Sequence, residues 1–338
     1  MKITAKGIIK YLIMLALALV LLFFVFRNIE WDSFVDGLKQ CNYWWIFATM
    51  LLNWGITIMR GFRWRLMMLP LSPDINHWES YDAYSICYLA NMGVPRSGEV
   101  VRCGLMSSRR KISFEGAIGS VVLERTWDLI CVFILFLAMI FLSPFGDWLV
   151  DNMLKPMMDS MGGSFVFLCI GIVAILVGIV LICRWQRERI AATKVGAKVI
   201  SLWRGLVNGV KAGFKMDHKF AFFTYTILIW VGYLFTSLFT IYAFPAFADV
   251  MTIGDALFLM IVGSLGWIVP VPGGFGAYHF IVAMTLVPIY HVSEQMGLVF
   301  ATISHESQIV QMLIWGVISL ITFYISGRKL KNAASARK

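Results

Sequence analysis

Runs of about 20 apolar residues recur along the chain, and two such stretches are broken by proline and glycine. The first break reads Asn91-Met92-Gly93-Val94-Pro95-Arg96-Ser97-Gly98-Glu99. The second reads Pro270-Val271-Pro272-Gly273-Gly274-Phe275-Gly276-Ala277-Tyr278-His279. Lipid offers no hydrogen bond to a peptide group, so an interrupted backbone survives at membrane depth only inside protein or against a water-filled cavity. One break falls in each half of the chain, a pairing that in transporters marks a binding site near the bilayer midplane. The sequence predicts an all-α, polytopic transmembrane helical bundle with two re-entrant helical hairpins.

Composition excludes a soluble fold. Hydrophobic residues make up 59% of the chain, charged residues 14%, and mean hydropathy is +0.78; soluble domains carry about 25% charged residues. The net charge of +10 sits mainly in loops, where it fits anchoring to the inner leaflet, and no nucleic-acid partner is implied. Lys2, Lys6 and Lys10 precede an apolar run from Tyr11 to Phe26. The triplet Ala16-Leu17-Ala18 mimics a signal-peptidase site but lies inside that run, so an uncleaved first transmembrane helix is expected. Six cysteines (Cys41, Cys87, Cys103, Cys131, Cys169, Cys183) form no C-x-x-C pair, and His305-Glu306 lacks the second histidine of H-E-x-x-H. No disulfide framework, metal site or cofactor is expected.

Lysine and arginine placement threads the bundle. A helix over about 8–26 leaves the cytoplasm for a loop, 27–43, with Arg27 and Lys39 against Glu30, Asp32 and Asp36. A helix over about 44–62 returns and ends in Arg60, Arg63 and Arg65, which either snorkel to the inner interface or meet an incoming phosphate. Residues 80–108 must leave and re-enter the cytoplasm, because Arg109, Arg110 and Lys111 follow. The arm after Gly98 is about ten residues long, too short to cross at about 1.5 Å per residue, so a hairpin from the inner face is expected. Helices over about 115–143 and 164–183 flank an acidic outer loop. The basic loop 184–219 follows, with Lys194 to Lys215 predicted as an amphipathic helix on the anionic leaflet. A helix over about 220–244 goes out, the arms 256–270 and 277–290 form a hairpin from the outer face, and a helix over about 298–325 returns.

The reading is a single transmembrane domain, 1–338, with inverted pseudo-repeats of about 1–143 and 164–325 and both termini cytoplasmic. The tips keep similar offsets: Glu99 precedes Glu124 by 25 residues, and His279 precedes His305 by 26.

Charged groups in apolar segments are the functional candidates, since each costs about 2.5–3.5 kcal/mol at a helix centre. Arg96, Glu99 and Arg102 surround the first break. A short helix starting near Ser97 would aim free N–H groups at the tip, with both arginines gripping a phosphate; the alternative is that both pair with Glu99. Glu124 and Asp128 share a helix face and need a cation between them, from Arg125 or the hairpin arginines, for substrate or as a structural network. The third group joins Pro270, Pro272, Gly273, Gly274, Gly276 and His279 on the second hairpin to His305, Glu306 and Gln308 on the last helix. The glycines permit close backbone approach. The histidines either bind a head group or hydrogen-bond between helices.

In order, Arg60-x-x-Arg63-Trp64, Pro95-x-x-x-Glu99-x-x-Arg102, Glu124-Arg125-x-x-Asp128 and Pro272-Gly273-Gly274-x-Gly276 resemble the lysylphosphatidylglycerol synthase transmembrane-region family of flippase-like integral membrane proteins. The resemblance implies movement of a phospholipid between leaflets. In bifunctional members a separate soluble domain makes the aminoacylated lipid from aminoacyl-tRNA. The longest polar stretch here is the loop 184–219, so neither lipid aminoacylation nor other enzyme activity is expected. The family pattern has a glutamate where His279 stands and an arginine near His305, which points to a substrate other than a lysyl-lipid. The expectation is an inner-membrane flippase for a phosphate-bearing lipid. Arg96 and Arg102 clamp the phosphate, and Glu99, Glu124 and Asp128 balance or recognise positive charge. Two rivals stay open: a small-anion transporter, and a non-transporting membrane partner of an envelope lipid-synthesis enzyme. Formation of a homo-oligomer is left open too.

Overall fold

The computed structural model describes residues 5–27, 29–110, 112–161, 214 and 216–335. The helix expected over 164–183, the amphipathic segment Lys194 to Lys215, Cys169 and Cys183 lie outside the described residues, apart from Phe214.

All regular structure among the described residues is helical, as it must be where peptide groups find partners only within their own segment. α1 (Ala5–Phe26) turns sharply, by 92°, into α2 (Trp31–Gln40), where the sequence suggested only a loop. α2 is amphipathic: Phe34 and Gly37 are buried, while Trp31 and Val35 are exposed. α3 (Tyr43–Met68) starts at Asn42, whose side chain accepts from Trp44 N. α4 (His77–Gly93) starts the same way at Asn76, and α6 (Phe114–Leu142) at Ser113. Each such cap satisfies one of the orphan N–H groups of a helix start. Between α4 and α6 lies α5 (Gly98–Arg110). The acidic loop of the sequence reading is itself helical, as α7 (Pro144–Leu149), a π-turn (Val150–Leu154) and α8 (Lys155–Met161).

The second half contributes α9 (Lys219–Tyr242), the short α10 (Pro245–Ala248) and α11 (Ile253–Ile268). A 3₁₀ turn (Pro272–Gly274) leads into α12 (Ala277–Tyr290), and the long α13 (Glu294–Ser335) ends the described chain. Four described stretches are long and apolar enough to cross a bilayer: Phe114–Leu142, Lys219–Tyr242, Pro272–Tyr290 and Glu294–Gly327. The bent pair α1–α2 makes a fifth if it counts as one span.

Two apolar cores hold the helices. One gathers Phe244, Phe247, Phe258, Tyr278, Val299 and Phe300 around α11, α12 and the start of α13. The other gathers Trp64, Met68, Tyr84, Met106, Trp127 and Phe222 around α3 to α6 and α9. Across them α3 packs on α9, α4 on α13, and α6 on α11. At its open end the first hairpin is tied shut by Glu79 of α4, which pairs with both Arg109 and Arg110 of α5. Arg109 also donates to Phe323 O and Ser326 Oγ of α13.

Candidate functional site

The costliest residues of the sequence meet in one cluster. Arg63 Nη2 on α3 lies 2.7 Å from Asp128 Oδ1 and 3.4 Å from Glu124 Oε1 on α6. Arg60 Nη2, one turn earlier, lies 2.6 Å from Asp128 Oδ2 and donates through Nη1 to Tyr233 of α9 at 2.8 Å. Arg102 of α5 donates to Glu124 Oε2 at 2.7 Å, and Tyr84 of α4 donates to Glu124 Oε1 at 2.6 Å. Arg125 lies 3.0 Å from Glu99. Side chains of Arg63, Arg102 and Glu124 are fully buried. Four guanidiniums (Arg60, Arg63, Arg102, Arg125) thus face three carboxylates (Glu99, Glu124, Asp128), leaving one positive charge in surplus.

The cluster corrects one expectation and sharpens two others. Arg60 and Arg63 do not snorkel: their side chains are buried against α6 and α9. Arg63, flanked by Arg60, bridges Glu124 and Asp128; of the cations the sequence offered, hairpin Arg102 pairs with Glu124 and Arg125 reaches Asp128 at 3.6 Å. Arg102 pairs with Glu124, and its guanidinium lies 4.6 Å from the Trp64 ring and 4.4 Å from the Tyr84 ring. Its Nε and Nη1 have no hydrogen-bond partner among the described residues, as suits donors stacked on aromatic faces.

The first break is a tight turn over Val94–Ser97. Arg96 adopts φ 59°, which costs a non-glycine residue about 1–2 kcal/mol. Its Nη2 donates across to Ile268 O at 2.8 Å, at the C-terminal end of α11, where a cation suits the unpaired carbonyls. α5 does begin beside Ser97, but Asn91 Oδ1 accepts from Gly98 N at 2.7 Å. That helix start is capped by the chain itself, which removes part of the expected anion site. In the second break Gly273, Gly274 and Gly276 have φ of 56°, 75° and 76°, a conformation open to glycine without strain.

Both hairpins border a cavity of about 390 Å³. Its wall on α3 is Thr49, Asn53, Thr57 and Arg60, spaced to share one helix face. α9 adds Tyr233, Thr236, Ser237 and Thr240, and α13 adds Ser304, Gln308 and Gln311. Thr57, Thr236 and Thr240 donate to carbonyls of their own helices, so these hydroxyls sit in an apolar bundle at little cost. Thr49 Oγ1 is buried without a partner among the described residues. Of the sequence-chosen residues Arg60, Glu99, Arg125 and Gln308 line this chamber; Arg96, Arg102, Glu124, Asp128, His279, His305 and Glu306 do not. Apart from Gln308, sequence reasoning missed the chamber's hydroxyl and amide wall. Its signal was the spacing of four between Thr49, Asn53 and Thr57.

The third group does assemble. Glu306 Oε1 lies 3.0 Å from His305 Nδ1 and 3.5 Å from His279 Nε2. The other nitrogen of His305 lies 2.9 Å from Gly273 O, and Gly274 sits beside the same ring. His305 is fully buried against Trp267, Phe275 and Tyr278.

Fold and site together define a multi-pass helical membrane protein with a polar chamber and a buried ion cluster at its centre. The chain belongs to the family described as the lysylphosphatidylglycerol synthase TM region, whose model matches residues 11–316. It is similar to the glycosyltransferase AglD of Haloferax volcanii, with 25% identity over 296 residues that cover 79% of this chain and 47% of that protein. The chain therefore spans about half the length of that curated relative. No solved structure matches it. Its family makes it a lipid-related membrane protein.

Proposed function

We propose that the protein moves a phosphate-bearing amphiphilic lipid between leaflets of the inner membrane. The head group occupies the chamber while the tails stay in the bilayer. One observation carries this reading: a cavity of about 390 Å³, walled by hydroxyls, amides and the guanidiniums of Arg60 and Arg125, inside helices that are otherwise apolar. Ligand sites run from about 300 to 1,000 Å³. The surplus positive charge beside the chamber favours an anion, and Arg60 and Arg125 are the groups placed to meet a phosphate.

The packing supports an inverted repeat. Exchanging α3 with α9, the α4–α5 hairpin with α11–α12, and α6 with α13 maps most of the principal contacts onto one another, the packing of α3 on α6 and α13 having no equal counterpart on α9. α4 packs on α13 as α11 packs on α6, and α5 packs on α6 as α12 packs on α13. The ion pairs follow the same rule: Glu99 of α5 meets Arg125 of α6, and His279 of α12 meets Glu306 of α13. In this reading the hairpins enter from opposite faces, the termini are cytoplasmic, and the halves rock to give alternating access. No enzymatic step is assigned, because Glu124 and Asp128 are occupied with arginines.

The test is reconstitution in vesicles with fluorescent lipids of varied head group, comparing wild type with Arg125→Gln and Ser237→Trp. Head-group-dependent flipping that both variants lose is expected. Flipping that both retain would remove the chamber assignment. Transport of free phosphate with no lipid movement would favour the small-anion rival. Absence of any transport, with stoichiometric capture of a lipid-synthesis enzyme, would favour the partner role.

A further inference from the structure

A histidine has one ring proton when neutral, yet both nitrogens of His305 face acceptors. Nε2 lies 2.9 Å from the carbonyl oxygen of Gly273, which can only accept, so the proton belongs there. That leaves the lone pair of Nδ1 opposed to a carboxylate oxygen, Glu306 Oε1, at 3.0 Å. His279 Nε2 approaches the same oxygen at 3.5 Å, and its Nδ1 is buried without a partner among the described residues. A lone pair on His305 Nδ1 set against a carboxylate oxygen requires a positive centre between them.

We propose that His279, His305 and Glu306 bind a divalent first-row transition-metal ion, Zn²⁺ foremost, which pins the second hairpin to the last helix. Three features favour a metal over a bare proton. The ligand atoms all lie within 4.8 Å of one another. Bonds of about 2.0–2.2 Å in a tetrahedral site put ligand atoms about 3.3–3.6 Å apart; the 3.5 Å separation falls in that range and the 3.0 Å one lies just below it. The Gly273 carbonyl holds the far nitrogen of His305, the outer-shell contact that fixes the tautomer of metal-bound histidine. Two imidazoles and a carboxylate suit Zn²⁺ and related ions, with a fourth position open. The histidines are 2% and 0% exposed within an aromatic shell, while Glu306 is 39% exposed and gives the ion a way in. The assignment is independent of the transport reading, since none of the three residues lines the chamber.

The test uses the full chain in detergent, purified without a histidine tag, stripped with a chelator and titrated with Co²⁺. The expected result is one Co²⁺ per chain, with the visible absorption of a four-coordinate nitrogen–oxygen site, displaced by Zn²⁺. Glu306→Gln and His279→Gln should each weaken binding by about 10- to 100-fold or more. Zn²⁺ should raise the Tm of wild type and leave that of Glu306→Gln unmoved. Glu306 is partly exposed, so this variant tests the site with the fold intact. Lack of stoichiometric binding by wild type overturns the proposal and leaves a proton as the positive centre. Binding that survives in both variants overturns it too, because it would place the ion elsewhere.

Discussion

Arg63 and Asp128 are 65 residues apart in sequence, and their side chains meet at 2.7 Å in the interior, tying α3 to α6. A buried pair gains little over an apolar substitute of the same volume, but losing one partner strands a charge, at about 3–5 kcal/mol. Arg63→Met should therefore lower the melting temperature and the folded yield sharply. Arg63→Met combined with Asp128→Leu should cost less than the sum of the two single changes. Thermal melting in detergent reads both. A single variant that melts with wild type would show that the pair contributes nothing.

The bridge from Arg96 to Ile268 should behave differently, because Arg96 is exposed and its backbone is strained. Arg96→Gly relieves about 1–2 kcal/mol of left-handed cost while removing a side-chain bond that links the two hairpins. Stability is expected to hold or rise slightly while lipid flipping changes in rate. Melting and vesicle transport measured on one preparation would separate the effects. A large drop in Tm would mean that the bridge is structural.

Glycines provide an internal control. A methyl group at Gly276 would meet the Ala18 carbonyl oxygen of α1 at 2.7 Å, at φ 76°. Gly276→Ala should destabilise by more than the about 1–2 kcal/mol of conformational strain, since α1 must also shift. Gly104 of α5 has no described atom within 4 Å of the same point. Gly104→Ala should be neutral or stabilising by about 0.5–1 kcal/mol. Equal melting shifts for the two variants would contradict the packing of α1 on the second turn.

Hydropathy and breaker residues made much of this fold legible. α6 spans Phe114–Leu142 against an expected 115–143, and α12 spans 277–290 as expected. Both turns fall at the Val-Pro steps, because proline and glycine act locally and need no tertiary knowledge. What was hidden depends on partners distant in sequence. Arg60 and Arg63 resemble the polar end of a span, and only the carboxylates of α6 explain why their side chains are buried. The chamber was hidden for another reason. Threonine and serine hydroxyls bonded to their own helix are tolerated in apolar segments, so Thr236 and Thr240 do not stand out by composition. The Glu99–Arg125 pair shows the intermediate case, where both residues stand out in the sequence but their pairing does not.

Thr49 gives a prediction that separates stability from function. Its hydroxyl is buried, faces the chamber and lacks a partner among the described residues, while its neighbour Thr57 donates to its own helix. A buried hydroxyl without a bond costs about 1–3 kcal/mol, so Thr49→Val, which keeps the shape, should raise the melting temperature. A chain that keeps such a group gains something from it in another state. If that state holds a phosphate-bearing head group, the hydroxyl finds its partner there, and the valine variant should flip lipid more slowly although it is more stable. Melting in detergent and flipping in vesicles measure the two sides of this trade. A variant that is both more stable and fully active would detach Thr49 from the substrate path, and one that is less stable would mean that the hydroxyl already has a partner in the resting protein.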